Sequence, residues 1–367
     1  MKQMLNKCLL MGLIGCITMA VTSCDMMHED TDDCPYGVYV KFKYDYNLQR
    51  ADMFNDHVGA VTLYVFDEDG KLVKTQTEKN NTGYEPLKST DYTMHITDLE
   101  PGNYRFIALA GQCDYSDMLN TNRAKFVRSD MAVGSSMENL DIQLDRTSAG
   151  DGTYNVVNNG LPLDTLWHGM DMTGIDVVST RPSYDTISLV RDTKKISITL
   201  RELDDPTTMD VANYDMKITD RNSHILYDNS LDESETVVYT PHATWNTEDK
   251  TTAENSSGVE QDGVGKIAHA DFMTSRLIDH GTDVAQDGRL TITNKTTGVQ
   301  VVNVNVPDLL SRLRNYEDTH RYSAQEYLDR GYDYQMDFFL KGDKLSYVNI
   351  SISVLSWSMR IQFEELD

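Results

Sequence analysis

Val61-Thr62-Leu63-Tyr64-Val65-Phe66-Asp67-Glu68-Asp69-Gly70-Lys71-Leu72-Val73, residues 61–73, sets the fold class. Six β-branched, aromatic and aliphatic residues run into four turn formers, and an apolar pattern then resumes, which predicts a β-hairpin. The same grammar extends outward. Val38, Val40, Phe42 and Tyr44 share one face of a strand, and Tyr39, Lys41 and Lys43 share the other. Residues 93–99 end at Pro101-Gly102-Asn103, residues 104–110 resume as a strand, and 139–144 and 186–190 add two more. A second set begins near Arg191, with Ile196, Ile198 and Leu200 alternating against Ser197, Thr199 and Arg201. Tyr214, Met216 and Ile218 follow, then a hairpin of 290–292 with 299–306, then strands at 336–340, 348–354 and 359–363. Helix is scarce: 308–316, 323–330 with Ser323 as cap, and a short turn around Met53, Phe54 and Val58. The pattern predicts an all-β chain of two sandwich domains in series, divided near residues 185–192 into 34–187 and 188–367. Residues 246–265, rich in Thr, Asn, Ser, Gly and acids, are expected to form a long exposed loop.

Composition narrows the function. The 367 residues hold 33 Lys+Arg against 58 Asp+Glu, a net charge of −25, which repels phosphate backbones and argues against a nucleic-acid partner. With 40% hydrophobic residues and only 8 prolines, the chain can bury a core. Residues 1–23 carry Lys2 and Lys7, and Cys8 to Val21 form an apolar run too short to span a bilayer but suited to a signal peptide. Val21-Thr22-Ser23-Cys24 has the form of a bacterial lipobox, with cleavage between Ser23 and Cys24 and lipidation of Cys24; the alternative is an ordinary signal peptide that happens to end beside a cysteine. Asp25, Glu29, Asp30, Asp32 and Asp33 make residues 24–33 an acidic, extended tether.

Cys8 and Cys16 leave with the signal and Cys24 is acylated, so Cys34 and Cys113 remain. In an oxidising compartment these two can pair; the alternative is two free thiols, one of them buried. No catalytic or metal site is expected. There is no G-x-S-x-G, no H-E-x-x-H and no Walker loop, since Gly263-Val264-Gly265-Lys266 lacks the spacing and a following Ser or Thr. Asp67 with Asp69 fits turn chemistry better than calcium, and Asp228, Asp232, Glu233 and Glu235 read as a solvated loop. No two of the many carboxylates stand out as an acid–base pair. Trp167-His168-Gly169 reads as a structural aromatic at a strand end, and Glu326 with Arg330 as a helical ion pair.

Several ordered motifs carry a resemblance. Asp33-Cys34-Pro35-Tyr36-Gly37-Val38-Tyr39-Val40, Tyr44-Asp45-Tyr46-Asn47, Ala51-Asp52-Met53-Phe54 and Val61 to Asp67 are followed by Leu166-Trp167-His168-Gly169. Val190-Arg191-Asp192-Thr193-Lys194-Lys195-Ile196 and Gln325-Glu326-Tyr327-Leu328-Asp329-Arg330 complete the set. In this order they resemble the fimbrium anchor subunits of Bacteroidales, the FimB-like and minor-fimbrium anchor family, over nearly the whole chain. The acidic stretch after Cys24 also resembles the surface-export signal of Bacteroidales lipoproteins. The resemblance implies two transthyretin-like β-sandwiches and a non-enzymatic lipoprotein at the base of a fimbrium. Diacylglycerol and an N-acyl chain on Cys24 would attach it to the outer membrane, and no other cofactor or small-molecule substrate is implied. Its partners would be fimbrillin stalk subunits, whose polymer it would hold and limit in length. A surface glycan-binding lipoprotein is the rival reading. Strand addition at a sheet edge is a physical route to stalk binding, with 38–44 and 358–364 as candidate edges.

Overall fold

The computed structural model describes residues 37–249, 265–354 and 357–363. Its first strands are β1 (Gly37–Lys43), β2 (Ala60–Phe66), β3 (Leu72–Lys79), β4 (Met94–Ile96) and β5 (Gly102–Gly111). Short strands follow: β6 (Phe126–Arg128), β7 (Ile142–Leu144), β8 (Arg146–Ser148) and β9 (Thr153–Val156). Then come β10 (Leu166–Val177), β11 (Pro182–Arg191), β12 (Lys194–Glu202), β13 (Tyr214–Asp220), β14 (His224–Ile225), β15 (Leu231–Asp232) and β16 (Thr236–Tyr239). The rest are β17 (Ala243–Asp249), β18 (Gly265–Thr274), β19 (Arg289–Asn294), β20 (Gln300–Asn305), β21 (Asp333–Lys341), β22 (Lys344–Val354) and β23 (Trp357–Phe363). The all-β expectation is met. No helix among the described residues is long and apolar enough to cross a membrane.

The hairpin over residues 61–73 forms as expected. Gly70 N–H donates to Asp67 O, Lys71 N–H donates to the Asp67 carboxylate, and Gly70 takes φ +70°, a conformation that favours glycine. Asp67 therefore builds the turn. The strand before the turn is buried on both faces, however. Val61, Leu63 and Val65 point into one core with Phe106 and Ala108, and Tyr64 and Phe66 point into another with Ile107 and Leu109. Alternation in such a strand sorts residues between two cores instead of separating core from solvent.

The first core lies inside a seven-stranded sheet in the order β3-β2-β5-β10-β11-β1-β4. β11 joins its two layers: Pro182 to Ser188 pair in parallel with β1, and Leu189 to Arg191 pair with β10. Two six-stranded sheets, β17-β18-β12-β21-β22-β23 and β20-β19-β13-β16-β9-β8, enclose the core of the second half. There Ile196, Ile198 and Leu200 meet Met216, Ile218, Leu290 and Ile292. Strands from the first half cross over. β9 pairs in parallel with β16, and β7 pairs with β14 in a four-stranded sheet, β15-β14-β7-β6, that packs on the outer side of Tyr64 and Phe66.

Local differences have local causes. The helix expected over 308–316 is two helices, Val306–Ser311 and Tyr316–Arg321, because the Asn305 and Asn315 side chains each accept a backbone N–H and start a new helix. Ser323 caps Ala324–Arg330 as expected, accepting from Glu326 N. The loop expected over 246–265 is shorter, since Ala243 to Asp249 pair with Asp271 to Gly265; of that stretch, 250–264 lie outside the described residues. β1 is not an edge, being held between β11 and β4, whereas β23 is one among the described residues.

Cys34 lies outside the described residues, and Cys113 is an exposed free thiol. Gly37 sits at the end of the sandwich where β5 begins, and Cys113 follows the opposite end of β5, on the order of 30 Å along the strands. The thiol at position 113 is exposed, so its reactivity tests the pairing with Cys34. Maleimide added to the unreduced, folded protein is expected to label Cys113 stoichiometrically by mass spectrometry. Labelling that required a reductant would establish the bridge.

Candidate functional site

Four of the resemblance motifs converge where the first half meets the second. β11 runs into β12 through Asp192 and Thr193 alone, both buried. The fully buried Lys194 ammonium donates to the carbonyls of Arg191 (3.0 Å), Asp329 (3.0 Å) and Gly331 (2.9 Å). These three acceptors saturate the ammonium without a directly bonded carboxylate. Burial pushes its pKa down, with the charges of Asp329 and Asp192 acting the other way. Arg276 pairs bidentately with Asp329 at 2.8 Å on both arms and also donates to Asn229 O. Burial works against this guanidinium, but the Asp329 carboxylate more than offsets it and holds its pKa above the usual range. Asn229, at φ +65°, donates to Asp192 at 3.2 Å.

Aromatic rings frame this network. The Arg191 guanidinium lies 4.3 Å from the Tyr332 ring centre and 5.4 Å from that of Trp167, and Tyr44 meets Trp167 edge-on at 5.8 Å. Such cation–ring contacts strengthen when desolvated. Arg330 lies 3.9 Å over Tyr46 and bonds Glu326 at 2.9 and 3.0 Å, while Arg50 reaches from the first half to the Tyr322 hydroxyl at 2.9 Å.

Trp167 is fully buried, so it is structural. His168 contacts the Tyr227 carbonyl at 2.9 Å, and burial pushes its pKa down to about 4, which keeps the ring neutral at ordinary pH. A Cβ at Gly169 would stand 2.7 Å from Leu189 and 2.8 Å from Ile187, so only glycine fits beside β11. Glu326 with Arg330 forms the expected i,i+4 pair. Ser23, Cys24, Gly263 and Val264 lie outside the described residues.

A second polar cluster has no signature in the sequence. His280 bonds Asp287 at 2.8 Å and Glu233 at 2.9 Å, Asn305 donates to Asp287 at 2.6 Å, and Asn222 donates to Asp220 at 3.0 Å. Glu233, read as part of a solvated loop, has a structural partner here. Burial, reinforced by Glu233, pushes the Asp220 carboxyl up to about 7. Burial lowers the His280 pKa, but its bonds to Asp287 and Glu233 outweigh that and raise it. Among the described residues no group of three or more His, Cys, Asp and Glu is arranged to hold a metal ion.

The other feature relevant to a protein partner is open backbone. Among the described residues, the sheet containing β12 ends in β17 on one side and β23 on the other, each of seven residues. On β17, Trp245 is 42% exposed and stacks on His269 at 4.9 Å. Unpaired N–H and C=O rows of this length accept an added strand.

Fold and junction together define an all-β protein of two interlocked sandwiches, held at a desolvated polar joint. The sequence model of the fimbrillin-A associated anchor proteins Mfa1 and Mfa2 matches residues 31–363, and the chain belongs to that family. A structure from Bacteroides thetaiotaomicron described as an adhesin is 28% identical, with 89% of this chain and 98% of that one covered and a TM-score of 0.69. Another from the same organism, described as a polysaccharide-binding protein, is 27% identical over 90% and 99%, with a TM-score of 0.65. The fimbrial anchor protein Mfa2 of Porphyromonas gingivalis shares the fold at 16% identity over 89% and 99%, with a TM-score of 0.57. No curated protein sequence matches the chain. Family membership supports a fimbrium-associated anchor role at the cell surface, of structural type.

Two outcomes are expected. Lys194→Met strands three buried carbonyls and removes one of the two buried cations facing Asp192 and Asp329, so denaturant unfolding should show a loss of about 3 kcal/mol or more. The Asp220 carboxyl keeps its proton to about 7 when folded, against an ordinary carboxyl at 3.8, so stability from this group falls as pH rises from about 4 to 7. Thermal unfolding of Asp220→Asn should therefore lack part of the decline that the wild type shows between pH 5 and 7. Parallel pH profiles would contradict the assignment.

Proposed function

We propose that the chain is a fimbrium anchor subunit, attached to the outer membrane by lipid on Cys24, which holds the base of a fimbrillin polymer and limits its length. The observation that carries this reading is the family match over residues 31–363. The chain path is consistent with it. β1 starts at the end of the first sandwich opposite the junction, so a lipid attached upstream of Gly37 would leave the second half pointing away from the membrane. The acidic residues 25–33 would act as a spacer, repelled by anionic headgroups. The free edges β17 and β23 then lie on the distal half, where a fimbrillin strand could add to them. No small-molecule substrate and no catalytic step enter this reading.

In cells carrying Cys24→Ala, fimbrillin polymers are expected in the medium, and longer than normal, with the variant chain recovered unlipidated. Immunoblots of medium and cell fractions, with electron microscopy for length, check this. Normal cell-bound fimbriae beside an expressed, unlipidated chain would sink the anchor reading. They would favour a surface glycan-binding lipoprotein, for which the exposed Trp245 is the first residue to test on a glycan array.

A further inference from the structure

The parallel pair β1/β11 lies where tension along the molecule must cross from one chain segment to another, and we propose that it is a mechanical clamp loaded in shear. The source of the tension rests on the anchor reading; the geometry of the clamp does not. β1 and β11 pair in register over seven residues, from Gly37↔Pro182 to Lys43↔Ser188. Force arriving from the N-terminal side pulls β1 toward Gly37. Force from the second half pulls β11 the opposite way, through Arg191, because β11 continues into β12 across only Asp192 and Thr193. Two parallel strands pulled from opposite ends slide along each other, so every rung of the ladder shares the load at once.

Side chains oppose the same slide. Val38, Val40 and Phe42 are buried in the first core, and the fully buried Tyr44 closes the far end of β1 against Trp167. Moving β1 by one rung would drag all four out of register and put outward-facing Tyr39 and Lys41 toward the core. β4 holds the other side of β1 through Val38↔Ile96, Tyr39↔His95 and Val40↔Met94.

The arrangement recurs beyond the junction. β12 pairs in parallel with β21 over eight residues, Lys195↔Asp333 to Glu202↔Leu340. Its loaded end is stapled by the Lys194 ammonium to the Asp329 and Gly331 carbonyls, and by Lys195 N–H donating to Tyr332 O at 2.7 Å. A tension line from the first residue of β1 to the last of β12 therefore passes through paired strands and one buried two-residue link.

Direction of pull tests the clamp without altering its residues. Thr180 is exposed in the turn between β10 and β11, at the same end as Gly37, so pulling between the N-terminus and Thr180 peels β1 from β11 one rung at a time. Asp204 is exposed just beyond β12, so pulling between the N-terminus and Asp204 shears the pair. Attachment tags are inserted after Thr180 or after Asp204 in the full mature chain, and each tagged chain is first matched to the untagged protein by thermal unfolding. In single-molecule force spectroscopy at one loading rate, the Asp204 attachment should rupture at about threefold higher force or more. Equal forces in the two geometries would overturn the clamp, whatever Cys24→Ala cells show. The threefold difference would support it even if those cells kept their fimbriae, since the tension would then need another source.

Discussion

The buried Lys194 ammonium is the constraint on which the arrangement of the two halves depends. A cation out of water is costly unless its hydrogens are all accepted, and here three main-chain carbonyls accept them. One of those carbonyls is in the last turn of the helix Ala324–Arg330, one follows it, and the third ends β11. One side chain therefore joins the last residue of the first half to the segment that begins β21. Arg276 and Asp329 complete the charge balance, and Arg191 closes the aromatic side. Because the Lys194, Arg276 and Asp329 groups satisfy one another, removing one strands the others, which couples the positions of the two halves.

Strand crossover adds to this. β7 and β9 pair with β14 and β16 of the second half, with β6 and β8 alongside them, so the polypeptide division near residue 190 is not a division between independent sheets. Tyr64 and Phe66, on a strand of the first half, contribute to the same continuous apolar cluster as Ile196 and Met336 of the second. A protein of an anchor family whose halves share a core in this way can pass force across its middle without a flexible hinge.

Charge plays a narrower part. The net charge of −25 keeps the surface acidic, while the acids that matter structurally are few and individually satisfied. Asp67 makes a turn, Asp329 balances Arg276, and Asp287 with Glu233 holds His280. The abundance of carboxylates hid these roles, since nothing in composition separates Asp220, fully desolvated, from the acids exposed in turns.

Period-two alternation and turn residues were enough to read the strand content, the 61–73 hairpin, the cap at Ser323 and the closing strands, because these depend on neighbours within a few residues. The ordered motifs were legible as a family resemblance, but their purpose was not: Trp167, Arg191, Lys194 and Asp329 lie far apart in the chain and meet only after the sheets form. The same is true of edge against interior. β1 and β23 look alike in sequence, yet β1 is enclosed by β4 and β11 while β23 is left open, since strand order is settled by long-range pairing and crossover connections. The exposure of Cys113 is likewise a property of the folded chain that its neighbours in sequence do not show. Local residue patterns determined which segments become strands; burial of charge and the order of the sheets, both properties of the assembled chain, decided what those strands hold together.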